Sequence, residues 1–94
     1  MNIRELQAAL IQALAAVQTE SNLPCPPITD DTVPLRDLPG FDSLSGVDAE
    51  VHLSERIGVE VENLPFRSVR DGHALSVREI GAFLGTKLDP KTRS

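Results

Sequence analysis

The sequence predicts an all-α fold: a small four-helix bundle of three main helices plus one short helix, with a long loop between helices one and two. Three observations lead to this prediction. Apolar residues recur at helical spacing in three separate segments. The 94 residues include three Phe but no Tyr or Trp, whereas sheets favour β-branched and aromatic residues. No segment shows convincing two-residue alternation of apolar and polar residues.

The first helix is predicted to begin at Ile3 and to fade between Thr19 and Asn22. Asn2 is the expected N-cap, with Glu5 three residues later. The apolar positions recur every three or four residues, as an amphipathic helix requires. They are Ile3, Leu6, Leu10, Leu14 and Val17.

A long connection follows, from about Leu23 to Phe41. It contains five of the seven prolines, which prevents a regular helix. Loops of this length are usually functional or disordered, and apolar anchors favour order. We therefore expect the loop to be held against the core by four apolar residues: Ile28, Val33, Leu35 and Leu38.

The second main helix is predicted to start at Asp42-Ser43-Leu44, since Asp and Ser are good N-caps, and to end at Gly58. A short helical turn is then expected around Phe66 to Val69, between breaks at Pro65 and Gly72. The second main helix carries two neighbouring apolar stripes. One is Ala49, Leu53 and Ile57, and the other is Leu44, Val47 and Val51.

The last helix is predicted to start at Ser76, which forms a capping box with Glu79. Gly85 is a candidate stop. We expect residues 1–88 to form one helical domain and residues 89–94 to form a flexible tail. The buried face of the last helix is expected to contain Val77, Ile80, Phe83 and Leu84.

Composition and charge exclude several classes of function. A net charge of -5 opposes nucleic-acid binding and favours basic protein partners. No apolar stretch can span a bilayer and no signal pattern is present, so we expect a cytoplasmic protein without membrane insertion. The lone Cys25 is expected to be an inert loop thiol. His52 and His73 have no companions at metal-ligand spacing, so no metal site is predicted.

The segment from Leu38 to Asp48 carries the chemistry. It places Ser43 at a helix start directly after a turn at Gly40, which exposes the hydroxyl to a modifying enzyme. An attached phosphodiester would face free backbone N–H groups and the positive end of the helix dipole. Taken alone, Asp-Ser before an apolar run is most often only a helix cap.

Ser43 does not fit a hydrolase nucleophile. The nucleophile elbow needs glycine two residues before and two residues after the serine. Phe41 and Ser45 occupy those positions here. No catalytic residues are therefore predicted.

The motif Asp42-Ser43-Leu44 has a wider context. It is preceded by the pair Asp37-Leu38, and a closing helix follows over 77–84. With Val47, Leu53 and Ile57 at the matching helix spacing, the chain resembles the acyl carrier protein family over about residues 3–86.

The resemblance implies a non-catalytic carrier. Ser43 would receive 4′-phosphopantetheine from coenzyme A, and the terminal thiol of that arm would hold acyl groups as thioesters. Asp42 would help to position the magnesium ion used in the transfer. The resemblance also implies two kinds of partner, a phosphopantetheinyl transferase and acyl-transferring or condensing enzymes with basic docking surfaces.

Partner recognition is expected on the exposed side of the second main helix of a monomer. Ser54 and Arg56 stand where carriers of bacterial fatty-acid synthesis commonly have acids, which favours a specialised carrier. Fatty acyl, polyketide and aminoacyl cargo all remain open. The alternative is an unmodified helical adaptor that binds a protein through the same acidic helix. The predicted partner-binding residues are Leu44, Val47, Asp48, Val51 and Glu55.

Overall fold

The computed structural model describes residues 2–61, 64–68 and 70–88, apart from the side chains of Ser43, Lys87 and Leu88. The predicted small four-helix bundle is confirmed. No helix in the described residues is long and apolar enough to cross a membrane. The predicted tail, 89–94, lies outside the described residues. The helices are α1 (Ile3–Glu20), α2 (Pro34–Asp37), α3 (Ser43–Ile57) and α4 (Val77–Leu88).

Helix α1 is the central element, because both α3 and α4 pack against it. Its start is capped as predicted: the Asn2 side-chain oxygen accepts a hydrogen bond from the backbone N–H of Glu5 at 2.8 Å. The apolar face of α1 is fully buried apart from Ile3 at its first turn. Its buried apolar residues are Leu6, Leu10, Ala13, Leu14 and Val17.

One buried side chain, Gln18, fixes both ends of the long loop. Its Nε2 donates to the carbonyl oxygens of Pro24 and Pro39, each at 2.9 Å. Proline has no N–H, so these positions cannot contribute donors of their own. The loop lies against the core as predicted. Val33 and Leu38 are buried in it, and Ile28 and Leu35 pack against the core.

The loop contains one helical turn, α2, although its prolines predicted no regular helix there. Pro34 occupies the first turn, where a missing N–H has no cost. Asp37 accepts a hydrogen bond from the backbone N–H of Val33 at 2.8 Å and pairs with Arg36 at 2.8 Å. The hydrogen bond from Arg36, and then that from Val33, lower the pKa of Asp37.

The short helical turn predicted at 66–69 is wrong over its described residues, 66–68. Arg67 instead forms an isolated antiparallel bridge with Ala74. Two backbone hydrogen bonds of 2.8 and 2.9 Å flank that bridge. The chain reverses through Gly72, whose φ of 75° lies in the left-handed region that glycine tolerates. The short helix of the bundle is therefore α2.

The start of α4 is joined to the long loop. The predicted capping box is present: Glu79 N–H donates to the Ser76 hydroxyl at 3.2 Å, and Ser76 N–H donates to the Glu79 carboxylate at 2.9 Å. Val77 N–H donates to Thr32 O at 2.8 Å. The first N–H groups of a helix have no acceptors within that helix. The contacts of the Val77 and Glu79 N–H groups satisfy two of these donors, and the Val77 contact also ties the long loop to α4.

The buried stripe of α4 differs from the prediction at one residue. Val77, Ile80 and Leu84 are buried, but Phe83 lies at the edge of the stripe and is 44% exposed. Gly85 does not end the helix, which continues to Leu88. A Cβ on Gly85 would lie 2.9 Å from Cγ1 of Ile3, so this glycine allows α1 and α4 to approach closely.

His73 links the 66–75 turn to α4. Its Nδ1 lies 2.6 Å from Oδ1 of Asp71, and its Nε2 lies 3.5 Å from Oε2 of Glu79. The hydrogen bond with Asp71, followed by that with Glu79, raises the pKa of His73. The backbone N–H of His73 is the main cause that lowers the pKa of Asp71, and the backbone N–H of Ser76 is the main cause that lowers the pKa of Glu79.

We predict that Gln18→Ala lowers the free energy of unfolding by about 2–4 kcal/mol, because two hydrogen bonds and a buried side chain are lost. Urea unfolding followed by circular dichroism measures the change. Gln12→Ala is the matched control, since Gln12 is exposed on the same helix, and it should stay within about 0.5 kcal/mol of the wild type. Equal effects of the two substitutions would contradict the role given to Gln18.

We also predict a pH-dependent contribution from His73. Its stabilising interactions are fully present below its ordinary pKa of 6.5 and are lost as pH rises through its raised pKa in the folded state. Those of Asp71 and Glu79 are present above their ordinary values of 3.8 and 4.5 and are lost as pH falls through their lowered values. The cluster therefore stabilises the fold most between pH 4.5 and 6.5.

An NMR titration should give His73 a pKa above 6.5, and Asp71→Asn should bring that pKa down towards 6.5. The destabilisation caused by His73→Gln should be larger at about pH 5.5 than at about pH 8.5. A His73 pKa at or below its ordinary value, unchanged by Asp71→Asn, would refute this assignment.

Candidate functional site

The candidate site is centred on the first turn of α3. Asp42 caps this helix as predicted: its Oδ1 accepts hydrogen bonds from the backbone N–H of Ser45 at 3.1 Å and from the Ser45 hydroxyl at 3.3 Å. The Asp42 backbone is extended, with φ -135° and ψ -165°. Ser43 is therefore the first residue of α3. Its side chain lies outside the described part of the structure.

The turn before the cap needs glycine at position 40. Gly40 has a φ of 72°, which confirms the predicted glycine turn. A Cβ at this position would lie 2.8 Å from Cδ2 of Leu23. The next residue, Phe41, is buried and anchors the chain immediately before Asp42. Backbone conformation and close packing thus both fix the entry into α3.

The two predicted stripes of α3 have different environments. Ala49 and Leu53 are fully buried, and Ile57 packs against the core at the end of the helix. The other stripe faces solvent: Leu44 is 76% exposed, and Val47 and Val51 are each 55% exposed.

Two acidic residues lie on the exposed side of α3. Asp48 and Glu55 are both exposed, and their spacing from the stripe of Leu44, Val47 and Val51 places them on the same face of the helix. All five predicted partner residues therefore share one solvent-facing surface, which we call the α3 face.

A groove of about 500 Å³ lies beside the start of α3, and we call it the first groove. Phe41, Val47 and Phe66 are among its apolar lining residues. The rings of Phe41 and Phe66 pack edge to face, with centroids 5.2 Å apart and an interplanar angle of 60°. Its charged lining residues are Asp42, Glu50 and Arg67.

A close contact at Gly46 forms the wall of this groove. A Cβ on Gly46 would lie only 3.1 Å from Cε2 of Phe66, so the glycine lets the ring rest against the first turns of α3. Sequence reasoning did not assign Phe66, Arg67 or Glu50 to the site. The one local indication was Gly46, because a glycine inside a helix often marks a site of close packing.

A second groove, of about 370 Å³, adjoins the first and shares Val47 and Glu50 with it. Ser54 lines this second groove. Its hydroxyl donates to Glu50 O at 2.8 Å and accepts from the backbone N–H of Val61 at 2.8 Å. The carboxylate of Glu50 accepts a third hydrogen bond, from Leu64 N–H at 3.2 Å. These contacts hold the segment after α3 against the helix.

Two other reactive side chains, His52 and Cys25, line neither groove. His52 bridges α3 to α1 through Glu20, with Nε2 3.1 Å from the carboxylate. Cys25 is an exposed free thiol in the long loop. Within the described ranges no group of three or more His, Cys, Asp or Glu side chains is arranged to hold a metal ion.

No protein-family model, no curated protein and no solved structure matches this chain.

We predict that Asp42→Ala destabilises the fold by about 1 kcal/mol, within the usual range for removal of an N-cap. Asp42→Asn should cost only a few tenths of a kcal/mol, because asparagine caps equally well. Thermal or urea unfolding of the two variants tests this. If Asp42→Ala is as stable as the wild type, the side chain of Asp42 does not act as the cap that the 3.1 Å hydrogen bond indicates.

Proposed function

We propose that the protein is an acyl-carrier-type protein, not itself an enzyme, which holds acyl or related intermediates as thioesters on a 4′-phosphopantetheine arm attached to Ser43. The observation that supports this most directly is the junction between Asp42 and α3. The capping carboxylate makes Ser43 the first residue of a 15-residue helix, beside a groove and at one end of an exposed apolar face.

The proposed modification is a phosphoryl-type transfer. The Ser43 hydroxyl oxygen attacks the phosphorus of coenzyme A that bears the pantetheine. The bond from that phosphorus to the bridging oxygen breaks, 3′,5′-ADP leaves, and the hydroxyl proton passes to a base of the transferase. The new phosphodiester is negatively charged, and the positive end of the α3 dipole favours an anion at this position.

Asp42 fits two compatible roles in this proposal. Its Oδ1 caps α3, while its Oδ2 has no hydrogen-bond partner among the described residues. The residue is exposed. A carboxylate oxygen of this kind suits Mg²⁺, which prefers oxygen ligands. We propose that Asp42 helps to position the magnesium ion of the transferase reaction.

The α3 face is the proposed docking surface. Its apolar residues offer contact area, and Asp48 and Glu55 offer charge that complements basic enzyme surfaces. A net charge of -5 would steer such partners towards the protein. The proposed partners are a phosphopantetheinyl transferase and acyl-transferring or condensing enzymes. We infer that the protein is a cytoplasmic monomer. Its partner enzymes would belong to fatty-acid, polyketide or another specialised biosynthetic pathway.

One observation favours a second candidate function. Leu44, Val47 and Val51 are large apolar side chains exposed on a single face, and such patches mark protein interaction sites. An unmodified adaptor that binds a protein partner through this face would need no arm.

Intact-mass measurement separates the two candidates. The protein is incubated with coenzyme A, magnesium and a broad-specificity phosphopantetheinyl transferase. We expect the wild type to gain one phosphopantetheine unit per chain and Ser43→Ala to gain none. Ser45→Ala is the matched control, because Ser45 lies two residues away and its hydroxyl contacts Asp42. That variant should still be modified.

Asp42→Asn adds a kinetic test. Because asparagine retains the cap, the folded fraction should stay the same while the rate of modification falls. Lack of any mass gain with several transferases would favour the adaptor. A mass gain that persists in Ser43→Ala would show that the arm is attached to another residue.

A further inference from the structure

We propose that the first groove is the binding site of the arm itself. In the modified protein the arm lies along α3, between that helix and the segment over 64–67, instead of extending freely into solvent. This inference rests on the proposed function, because it needs an arm on Ser43. It goes further by assigning Arg67 and Glu50 as residues that hold the arm.

The position of the groove suits an arm attached at Ser43. Asp42, the residue before the attachment point, already lines the groove. The lining then continues along α3 through Gly46 and Val47 to Glu50. From residue 43 to residue 50 the helix rises about 10 Å. A chain that leaves the first residue of α3 can therefore follow the groove without a sharp reversal.

The chemistry of the groove matches that of the arm. Beyond its phosphate, pantetheine contains two amides, a hydroxyl and a pair of geminal methyl groups, so donors, acceptors and apolar groups alternate along it. The groove offers the same mixture. Phe41, Val47 and Phe66 supply apolar contact, Arg67 supplies donors, and Glu50 supplies an acceptor.

Arg67 has donors to spare. One of its terminal N–H groups donates to the carbonyl oxygen of Gly72 at 3.2 Å. Across the described ranges it forms no ion pair with a carboxylate. A guanidinium has five N–H donors in a fixed fork. Its remaining donors can therefore bind an amide carbonyl in the groove.

Glu50 has a spare acceptor for a similar reason. Its Oε1 accepts from the backbone N–H of Leu64, which fixes the carboxylate at the edge of the groove. Its Oε2 has no hydrogen-bond partner among the described residues. This oxygen can accept from an amide N–H.

Other occupants fit less well. A plain alkyl chain would cover Asp42, Glu50 and Arg67 without satisfying them, which is costly for charged groups. A second anion in the groove would meet two carboxylates against one guanidinium. A neutral chain rich in amides avoids both penalties.

NMR of the modified protein tests the inference. The arm is introduced from coenzyme A labelled with ¹⁵N in its two amides, and complete modification is checked by mass. We expect the arm amides to show heteronuclear NOE values close to those of the folded backbone. We also expect the backbone signals of Gly46, Val47 and Phe66 to shift between the unmodified and modified forms.

Arg67→Ala should release the arm. The ratio of bound to free arm should fall about two- to tenfold, which corresponds to the loss of one hydrogen bond of ordinary net strength. The heteronuclear NOE values of the arm amides, and the chemical-shift differences of Gly46, Val47 and Phe66, should fall with that ratio. Arg67→Lys, which keeps the charge but not the fork, should lie in between. Arg70→Ala is the matched control, because Arg70 is an exposed arginine of the same turn that does not line the groove, and it should behave as the wild type.

The possible failures are distinguishable. No mass gain defeats the proposed function, and the inference falls with it. Complete modification with NOE values typical of a free chain, and with shifts confined to the neighbours of Ser43, overturns the inference alone. An equal fall in the ratio of bound to free arm in Arg67→Ala and Arg70→Ala would show that the turn as a whole was disturbed. That result would refute a specific contact by Arg67.

Discussion

The fold depends on the two hydrogen bonds that Gln18 donates from the buried end of α1. A loop with five prolines is short of backbone donors, so its backbone pairing is confined to short turns such as α2. Gln18 supplies two donors from one side-chain nitrogen, to carbonyls 6 and 21 residues away in sequence. Its Oε1 is buried without a hydrogen-bond partner among the described residues. That cost is tolerable because the same side chain closes the loop at both ends.

The geometry of the candidate site follows from this closure. Pro39 is held against α1, Gly40 turns the chain against Leu23, and Phe41 is buried next to it. Asp42 can then cap α3 in one defined orientation. Since Ala49 and Leu53 must face α1, the opposite side of α3 is forced into solvent. The exposed apolar stripe is thus a result of how the loop delivers the chain to the helix.

Exposure of this stripe forfeits stability that the fold could have gained. Full burial of a Val or Leu side chain is worth about 1.5–3 kcal/mol. A chain of 94 residues has a small core and little surplus. Leu44, Val47 and Val51 nevertheless remain outside that core. A patch of this kind is readily explained as a surface that is covered when a partner binds.

The predictions that the structure confirms rest on short-range interactions. The caps at Asn2, Asp42 and Ser76, and the helix end at Gly58, each depend on residues within a few positions, and all four are found. The two stripes of α3 were also predicted from the helical period, but the period alone left open whether Val47 and Val51 belong to the core.

What the sequence did not reveal about Gly85, Gln18 and the first groove depends on contacts between distant residues. Glycine at position 85 was expected to end a helix, but it serves contact with Ile3 at the other end of the chain. Gln18 has the appearance of a surface residue unless the two proline carbonyls are known to meet it. The first groove was missed because Phe66 reaches Gly46 across 20 positions, and no local pattern encodes such a pairing.

The first groove also bears on the choice between a carrier and an adaptor. An adaptor needs only the α3 face, of which Val47 also lines the first groove. The groove adds a polar, partly aromatic channel that starts at the residue before Ser43 and continues for two turns. Its three charged side chains need polar or charged partners when they are covered, because covering them unpaired costs free energy. A polar chain anchored at Ser43 would also satisfy them, so under the proposed carrier function the groove has an occupant that the protein itself supplies.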